Sequence, residues 1–272
     1  MNDTNTEKTS SGSPANTALH YDQFFGPFYF EPYAIEIAKR IRPEGISTAL
    51  EIASGTGRVT RHIRERIPSH TKLIASDISE DMLAIAKKKL SHLNIDWQTI
   101  DAQQLPFPDN SIDAVVCCFG YMFVPDKSKA FAEVHRVLKT DGQFLLTTWD
   151  KLVNNTASWC ARSIATEYLD KPLPGSYDLP TSMHDETAIQ SLLQAAGFSK
   201  ISIETKKLFS VSSTAKEAAN GLTKGGLYDD IKKQNPTALD EIRIKLEAML
   251  TEKFGDAPMV APMSALIAEA RK

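Results

Sequence analysis

Between residues 46 and 149 the apolar positions switch repeatedly between two periods. Short, nearly continuous apolar runs occupy residues 46–53 (ISTALEIA), 71–76 (TKLIAS), 95–100, 112–119 (IDAVVCCF) and 143–149 (QFLLTTW), as strands buried on both faces would. Amphipathic stretches lie between them. Residues 57–67 predict a helix stopped by Pro68. Ser79 is placed to cap a helix running to about Ser91, with Asp81 in its first turn, and a third helix spans about 127–138, ending before Asp141 and Gly142. Residues 104–111 (QLPFPDNS) read as a loop. Strand following helix in this way implies right-handed crossovers and an α/β fold, a mostly parallel sheet with helices on both faces.

The flanks read differently. Residues 1–18, rich in Asn, Thr, Ser, Gly and Pro, offer little apolar surface to bury and are expected to be a disordered tail. From Tyr21 an aromatic segment, YDQFFGPFYFEPY, leads into a helical pattern ending near Arg42, with Pro43 and Gly45 as breakers. Beyond Asp150 the pattern predicts a helix over 154–169, a proline-rich stretch over 170–184, a helix over 185–196 ending at Gly197, and a strand over 200–211. Residues 215–254 read as two helices separated by Pro236, and 260–270 as either a strand or a short helix. The expected organisation is a tail (1–18), a Rossmann-like core with its aromatic helical segment (19–150), and helical lid insertions with the last sheet strands of the same domain (151–272).

Charge narrows the functions. With 31 basic and 34 acidic residues, a net charge of −3, nothing global favours nucleic acid or an anionic membrane. No apolar run is long enough to span a bilayer, and the N-terminus lacks the order of a signal peptide. Three cysteines, two of them adjacent (Cys117, Cys118), form neither a disulfide framework nor a metal pattern, so no metal is expected and a cytoplasmic setting is.

The chemistry concentrates at three strand ends. Glu51-Ile52-Ala53-Ser54-Gly55-Thr56-Gly57 closes the first strand, where open parallel sheets bind ligands. Gly55 and Gly57 permit a tight turn and close approach of a ligand. Asp77 ends the second strand, placed to accept hydrogen bonds from ribose hydroxyls. Asp101 follows the third, placed for an adenine amino group, with the Ala102 N–H available to the ring and Met82 and Leu105 candidates to sandwich it. A glycine loop alone is as well explained by a tight turn, and a lone Asp by a cap. Three together favour a nucleoside-bearing cofactor. A nicotinamide dinucleotide would want a third glycine where Thr60 stands. Glu51 places a carboxylate beside the loop, which suits a cation, such as the methionine part of S-adenosylmethionine, better than a diphosphate.

The segments LEIASGTGRVT, SDISEDML, DAQQLPFPDNSIDAVVCCFGYMFVPD and FAEVHRVLKTDGQFLLTTW resemble the class I S-adenosylmethionine-dependent methyltransferases. Their nearest likeness is to the type 11 branch that includes the ubiquinone and menaquinone biosynthesis C-methyltransferases. The resemblance covers about residues 20–150. It implies a seven-stranded sheet with a reversed hairpin at one edge, with S-adenosylhomocysteine as product. By position it implies Glu51, Ala53, Gly55 and Gly57 in the glycine-rich motif, Asp77 on the ribose, Asp101 and Ala102 on the adenine, and Phe119 and Gly120 after the fourth strand. Two departures are Ala53, where the family usually has glycine, and Phe119, where relatives often carry a polar residue.

A sulfonium donor is already activated, so the protein's tasks are to align an acceptor and exclude water, with a base needed only if the nucleophile must lose a proton. Tyr21 and Tyr29 are expected near the cofactor and most of the phenylalanines in the core. An apolar or aromatic small-molecule acceptor is expected between this segment, the loop after Phe119 (Gly120, Tyr121, Met122, Phe123) and residues 151–184, with Trp149, Trp159 and Met183 nearby. His184 is the candidate general base, Asp150 a second; His62, His70, His92 and His135 read as surface or structural. The helical segment 215–254 would complete a lid or a homodimer surface. The competing readings are a non-catalytic binding protein of this fold, whose sign would be loss of Asp77 or Asp101, and an RNA or protein methyltransferase, which should show a basic face. Phe-Gly-Tyr-Met after the fourth strand lacks the Asn/Asp-Pro-Pro-aromatic tetrad of an N6-adenine methyltransferase.

Overall fold

The computed structural model describes residues 18–169 and 174–272. The expected tail thus lies outside the described residues except for Ala18, which is helical and buried rather than disordered. Part of the proline-rich stretch, 170–173, lies outside them too.

Seven strands form one sheet in the order β3-β2-β1-β4-β5-β7-β6. They are β1 (Thr48–Ile52), β2 (Lys72–Asp77), β3 (Asp96–Thr99), β4 (Ile112–Cys118), β5 (Leu138–Trp149), β6 (Ser199–Ser212) and β7 (Met259–Arg271). The first five pair in parallel, and β7 runs antiparallel to both β5 and β6. This is the reversed edge that the resemblance implied.

The alternation of side chains sorts the core into two layers. Ala49, Leu73, Ala114, Val116, Leu145 and Ile267 join one cluster. Their strand neighbours Leu50, Ile74, Val115, Cys117, Phe144 and Leu266 join the other. Helix α1 (Glu31–Arg40) covers the first face with Ala34 and Ile37, and α2 (Arg58–Arg66) with Val59 and Ile63. Helix α3 (Glu80–Lys89) follows β2, capped as expected by Ser79, whose side chain accepts from the Met82 N–H. Helix α4 (Lys127–Val137) covers the second face with Ala130, Phe131, Val134 and Val137.

The second face extends into a lid made by two insertions. Helices α5 (Thr156–Thr166) and α6 (Glu186–Ala195) lie between β5 and β6 in the chain; α7 (Ala215–Leu222), α8 (Gly226–Gln234) and α9 (Ala238–Phe254) lie between β6 and β7. Helix α9 packs on α7 and α5, which joins the insertions. Residues 215–254 are therefore three helices, not the expected two. Gly225 and Gly226, at φ +75° and +44°, end one helix and start the next, a break as firm as Pro236. Residues 260–270 form strand rather than helix. Wedged between β5 and β6, this segment is buried along nearly its whole length from Ala261, so its uninterrupted apolar character suits a central strand. Strand β5 begins at Leu138, earlier than the expected 143, because a register irregularity lets Leu138 pair with Ile112 before Gln143 pairs with Ala114.

Candidate active site

The loop after β1 is a chain of left-handed residues: Ala53, Gly55 and Gly57 have φ of +56°, +55° and +80°. At Gly57 a Cβ would stand 2.9 Å from Leu90 Cδ1 and 3.2 Å from Ala86 Cβ, so glycine lets α3 close against the loop. At Gly55 the only atom near a Cβ position is Tyr21 Cε1, 3.9 Å away, which leaves that face bare. Ala53 holds a conformation that costs a non-glycine residue about 1 kcal/mol. The accommodation is made opposite: a Cβ on Gly120 would collide with Ala53 Cβ and lie 2.8 Å from Cys117 Sγ.

Carboxylates surround this loop. Glu51 is 1 % exposed. Thr60 stands beside it, yet neither Glu51 Oε2 nor Thr60 Oγ1 makes a hydrogen bond of ordinary geometry. Burial, with a contribution from the charge of Asp77, pushes the Glu51 carboxyl up to about 8. Asp77 Oδ2 accepts from the Gly55 N–H at 2.8 Å and Oδ1 from the Ser79 N–H at 2.9 Å, so it ties loop to strand end. Burial raises its pKa against the pull of those amides. Asp101 is exposed and accepts from the Gln103 N–H at 2.9 Å, which lowers its pKa. Ala102 is buried, Met82 half-buried on α3. Leu105 lies in the core, with its N–H bonded to Glu133 at 2.8 Å. None of Glu51, Asp77 and Asp101 has an ion-pair partner among the described residues. An orphaned buried carboxyl oxygen on the strand that leads into this glycine loop fits a cationic ligand, which would favour its ionised form.

The aromatic segment straps this loop. Tyr21–Phe30 is a wide helical turn run in which the Glu31 N–H reaches the Gly26 carbonyl, five residues back. Asp22 accepts from Thr56 Oγ1 at 2.7 Å, pairs with Lys89, and lies 3.6 Å from Arg58. Glu31 pairs with Arg58 at 2.7 Å, Arg61 at 2.6 Å and His62 at 2.8 Å. Burial, then the nearby Asp77, raises the Tyr21 phenol.

Beside the strap lies a cavity of about 480 Å³. Its wall includes Tyr21 and Tyr29, as expected, with Phe119, Phe123 and Trp149 from the β4 and β5 ends; Phe25 and Phe30 join them, where most of the phenylalanines were expected in the core. Phe119, at φ +58°, turns its ring onto Trp149, with centroids 4.0 Å apart and planes 20° apart. The departure from a polar residue here thus makes a stacked wall. Other expectations need correction. Tyr121 and Met122 are fully buried core, with Tyr121 Oη donating to the Ala130 carbonyl at 3.1 Å. Trp159 is 41 % exposed, and Met183 is buried away from the cavity wall. His184 does not line the cavity, and its Nδ1 is 2.8 Å from the Thr181 carbonyl. Asp150 is held by the Lys151 N–H, Asn154 and Ser264 at 2.6, 2.7 and 2.8 Å, a joint between β5 and β7 rather than a base. The sequence reading missed Ser158 and Arg162 from α5 and the turn from Leu222 to Tyr228. The Gly225–Gly226 pair was the available signal for that turn.

Residues 49–142 match a family model described as a methyltransferase domain. The ubiquinone/menaquinone biosynthesis C-methyltransferase UbiE of Francisella philomiragia is 31% identical over 175 residues, 62% of this chain and 68% of that protein. The protein of the same name from Escherichia coli O1:K1 / APEC is 29% identical over 170 residues, 57% of this chain and 67% of its own. Among solved structures, YcgJ of Bacillus subtilis has a TM-score of 0.57 at 20% identity, covering 89% of this chain and 98% of that one. Phosphoethanolamine N-methyltransferase 2 of Haemonchus contortus, solved with phosphomonomethylethanolamine and S-adenosylhomocysteine, has a TM-score of 0.59 at 18% identity, covering 95% and 57%. These two likenesses concern the fold.

Proposed function

This chain belongs to the class I S-adenosylmethionine-dependent methyltransferases, in the branch of the ubiquinone/menaquinone biosynthesis C-methyltransferases, and from that premise we propose that it methylates a small apolar or aromatic acceptor in the 480 Å³ cavity, at oxygen or carbon. One observation carries the reading: Tyr21 belongs both to the cavity wall and to the face above Gly55, so the cavity adjoins the glycine loop.

When bound, S-adenosylmethionine supplies a methyl group already activated for in-line displacement. In our assignment Glu51 holds the ammonium, and Ala53, Gly55 and Gly57 form the floor beneath the methionine portion. Asp77 takes the ribose hydroxyls, Asp101 and the Ala102 N–H the adenine edge, and Met82 its face. Tyr21 and Phe119 close the reacting end, and the aromatic wall orients the acceptor and excludes water. Among the described residues the wall carries no carboxylate and no histidine. Burial raises the phenols of Tyr21, Tyr29 and Tyr228, which therefore keep their protons at neutral pH. We accordingly assign His184 to bracing the lid turn rather than to proton transfer. Three free cysteines, and the absence of any described helix long and apolar enough to cross a membrane, are consistent with a cytoplasmic enzyme.

Thermal melting tests the cofactor site. Saturating S-adenosylhomocysteine should raise Tm by about 5–10 °C and NAD should not. Production of S-adenosylhomocysteine with a panel of phenols and quinols then tests the acceptor class. Turnover confined to RNA or protein substrates would sink the small-molecule reading.

A further inference from the structure

Resting on the reading of the cavity as the acceptor site, we infer that the acceptor carries an oxyanion, a carboxylate or a phosphate, on an aromatic or apolar body, and that Lys224 and Arg162 hold it. They are the only charged side chains on the described wall, and both are cations. Two cations and no anion thus stand among the aromatic residues of the described wall. Arg162, largely buried, and Lys224, exposed to solvent, both reach this apolar wall, where an anion would find charge-assisted partners.

Neither cation has its full set of partners among the described residues. Arg162 Nη1 donates to the Tyr177 carbonyl at 2.9 Å and pairs with Asp178 at 3.0 Å. The Asp178 side chain is 70 % exposed, however, so this partner is well solvated and the pair weak. The Nε and Nη2 N–H groups donate to nothing among the described residues. Lys224 makes neither an ion pair nor a hydrogen bond among them. It is nonetheless held at the wall. Thr223 Oγ1 donates to the Ala219 carbonyl at 2.8 Å and accepts from Arg243 Nε at 3.1 Å. On the other side Gly225 and Gly226 turn the chain, the Gly226 Cβ position lying 3.6 Å from Tyr177 Cε1. Burial, then the Lys224 charge, lowers the pKa of His20, the residue before the strap. The two residues arrive from different insertions, Arg162 from α5 and Lys224 from the α7–α8 turn, and converge only on this cavity.

The test uses two fluorescent probes with the same aryl amine body, the anionic 8-anilinonaphthalene-1-sulfonate and the neutral N-phenyl-1-naphthylamine, on protein saturated with S-adenosylhomocysteine. The anionic probe should bind at least about tenfold tighter, as charge-assisted hydrogen bonds require. Lys224→Gln, at an exposed position, should lower its affinity about tenfold and leave the neutral probe within about twofold. Arg162→Gln should act similarly, with Arg162→Lys restoring part of the loss. Displacement by phenylacetate or by phenyl phosphate distinguishes carboxylate from phosphate. Equal affinity for the two probes, an anionic probe indifferent to Lys224→Gln, or displacement by neither competitor would overturn the inference. The S-adenosylhomocysteine melting shift, measured on each variant, reports the cofactor site separately, so its loss would indict that reading alone.

Discussion

The floor of the site and its lid differ in charge and in what holds them. Glu51, Asp77 and Asp101 stand at or just beyond the carboxyl ends of neighbouring parallel strands, where the sheet's hydrogen bonds fix their spacing. Arg162 stands on α5 and Lys224 in the α7–α8 turn, on two insertions whose meeting depends on side-chain packing around α9. The floor is acidic and suits a sulfonium ligand bearing an ammonium; the charged side chains that the lid brings to the described cavity wall are basic. Opposite fields at the two ends of one cleft discourage either ligand from occupying the other's place.

The largest effect should come from Asp77→Ala, which removes charge-assisted hydrogen bonds and releases the Gly55 N–H. S-adenosylhomocysteine affinity by calorimetry should fall about hundredfold while the neutral probe binds unchanged. A matching loss of probe binding would mean the halves are not separable.

Glu51→Gln should weaken S-adenosylhomocysteine about tenfold yet steady the unliganded protein. Folded Glu51 keeps its proton up to about 8, against an ordinary value of 4.5. The stability from that proton is whole below about pH 4.5 and is lost as pH rises through about 8. Melting of the wild type should therefore drop across that window, and the Glu51→Gln slope should be flatter. Parallel slopes would place the titration elsewhere.

A smaller gain is expected from Ala53→Gly. Relief of the left-handed backbone is worth about 1 kcal/mol, roughly 2–4 °C in Tm, with cofactor affinity little changed. A lower Tm would show that the methyl packing against Gly120 outweighs the strain. The least effect belongs to His184→Ala: unchanged turnover and a Tm lower by roughly 1–3 °C, from the lost bond to the Thr181 carbonyl. A loss of turnover together with a shifted pH profile would return His184 to the catalytic machinery.

The same contrast explains what could be read in advance. Strands that alternate between two buried faces announce themselves by apolar runs, so the placing of Glu51, Asp77 and Asp101 at or beyond strand ends could be read in advance. Phe119 was noticed, but its stacking on Trp149 needed the positive φ that only coordinates provide. His184, singled out as the lid's lone histidine, was misjudged because nothing in its neighbourhood discloses that Nδ1 is engaged locally. Lys224 and Arg162 were not singled out from the sequence. Their convergence is a long-range contact with no local periodicity to betray it.

The strap couples the two compartments. Tyr21–Phe30 roofs the glycine loop through Tyr21 and supplies Phe25, Tyr29 and Phe30 to the acceptor cavity, while the Asp22 and Glu31 ion pairs latch it to α2 and α3. One segment thus walls both the loop and the cavity, so a substitution that breaks the Asp22 or Glu31 pairs should disturb both together.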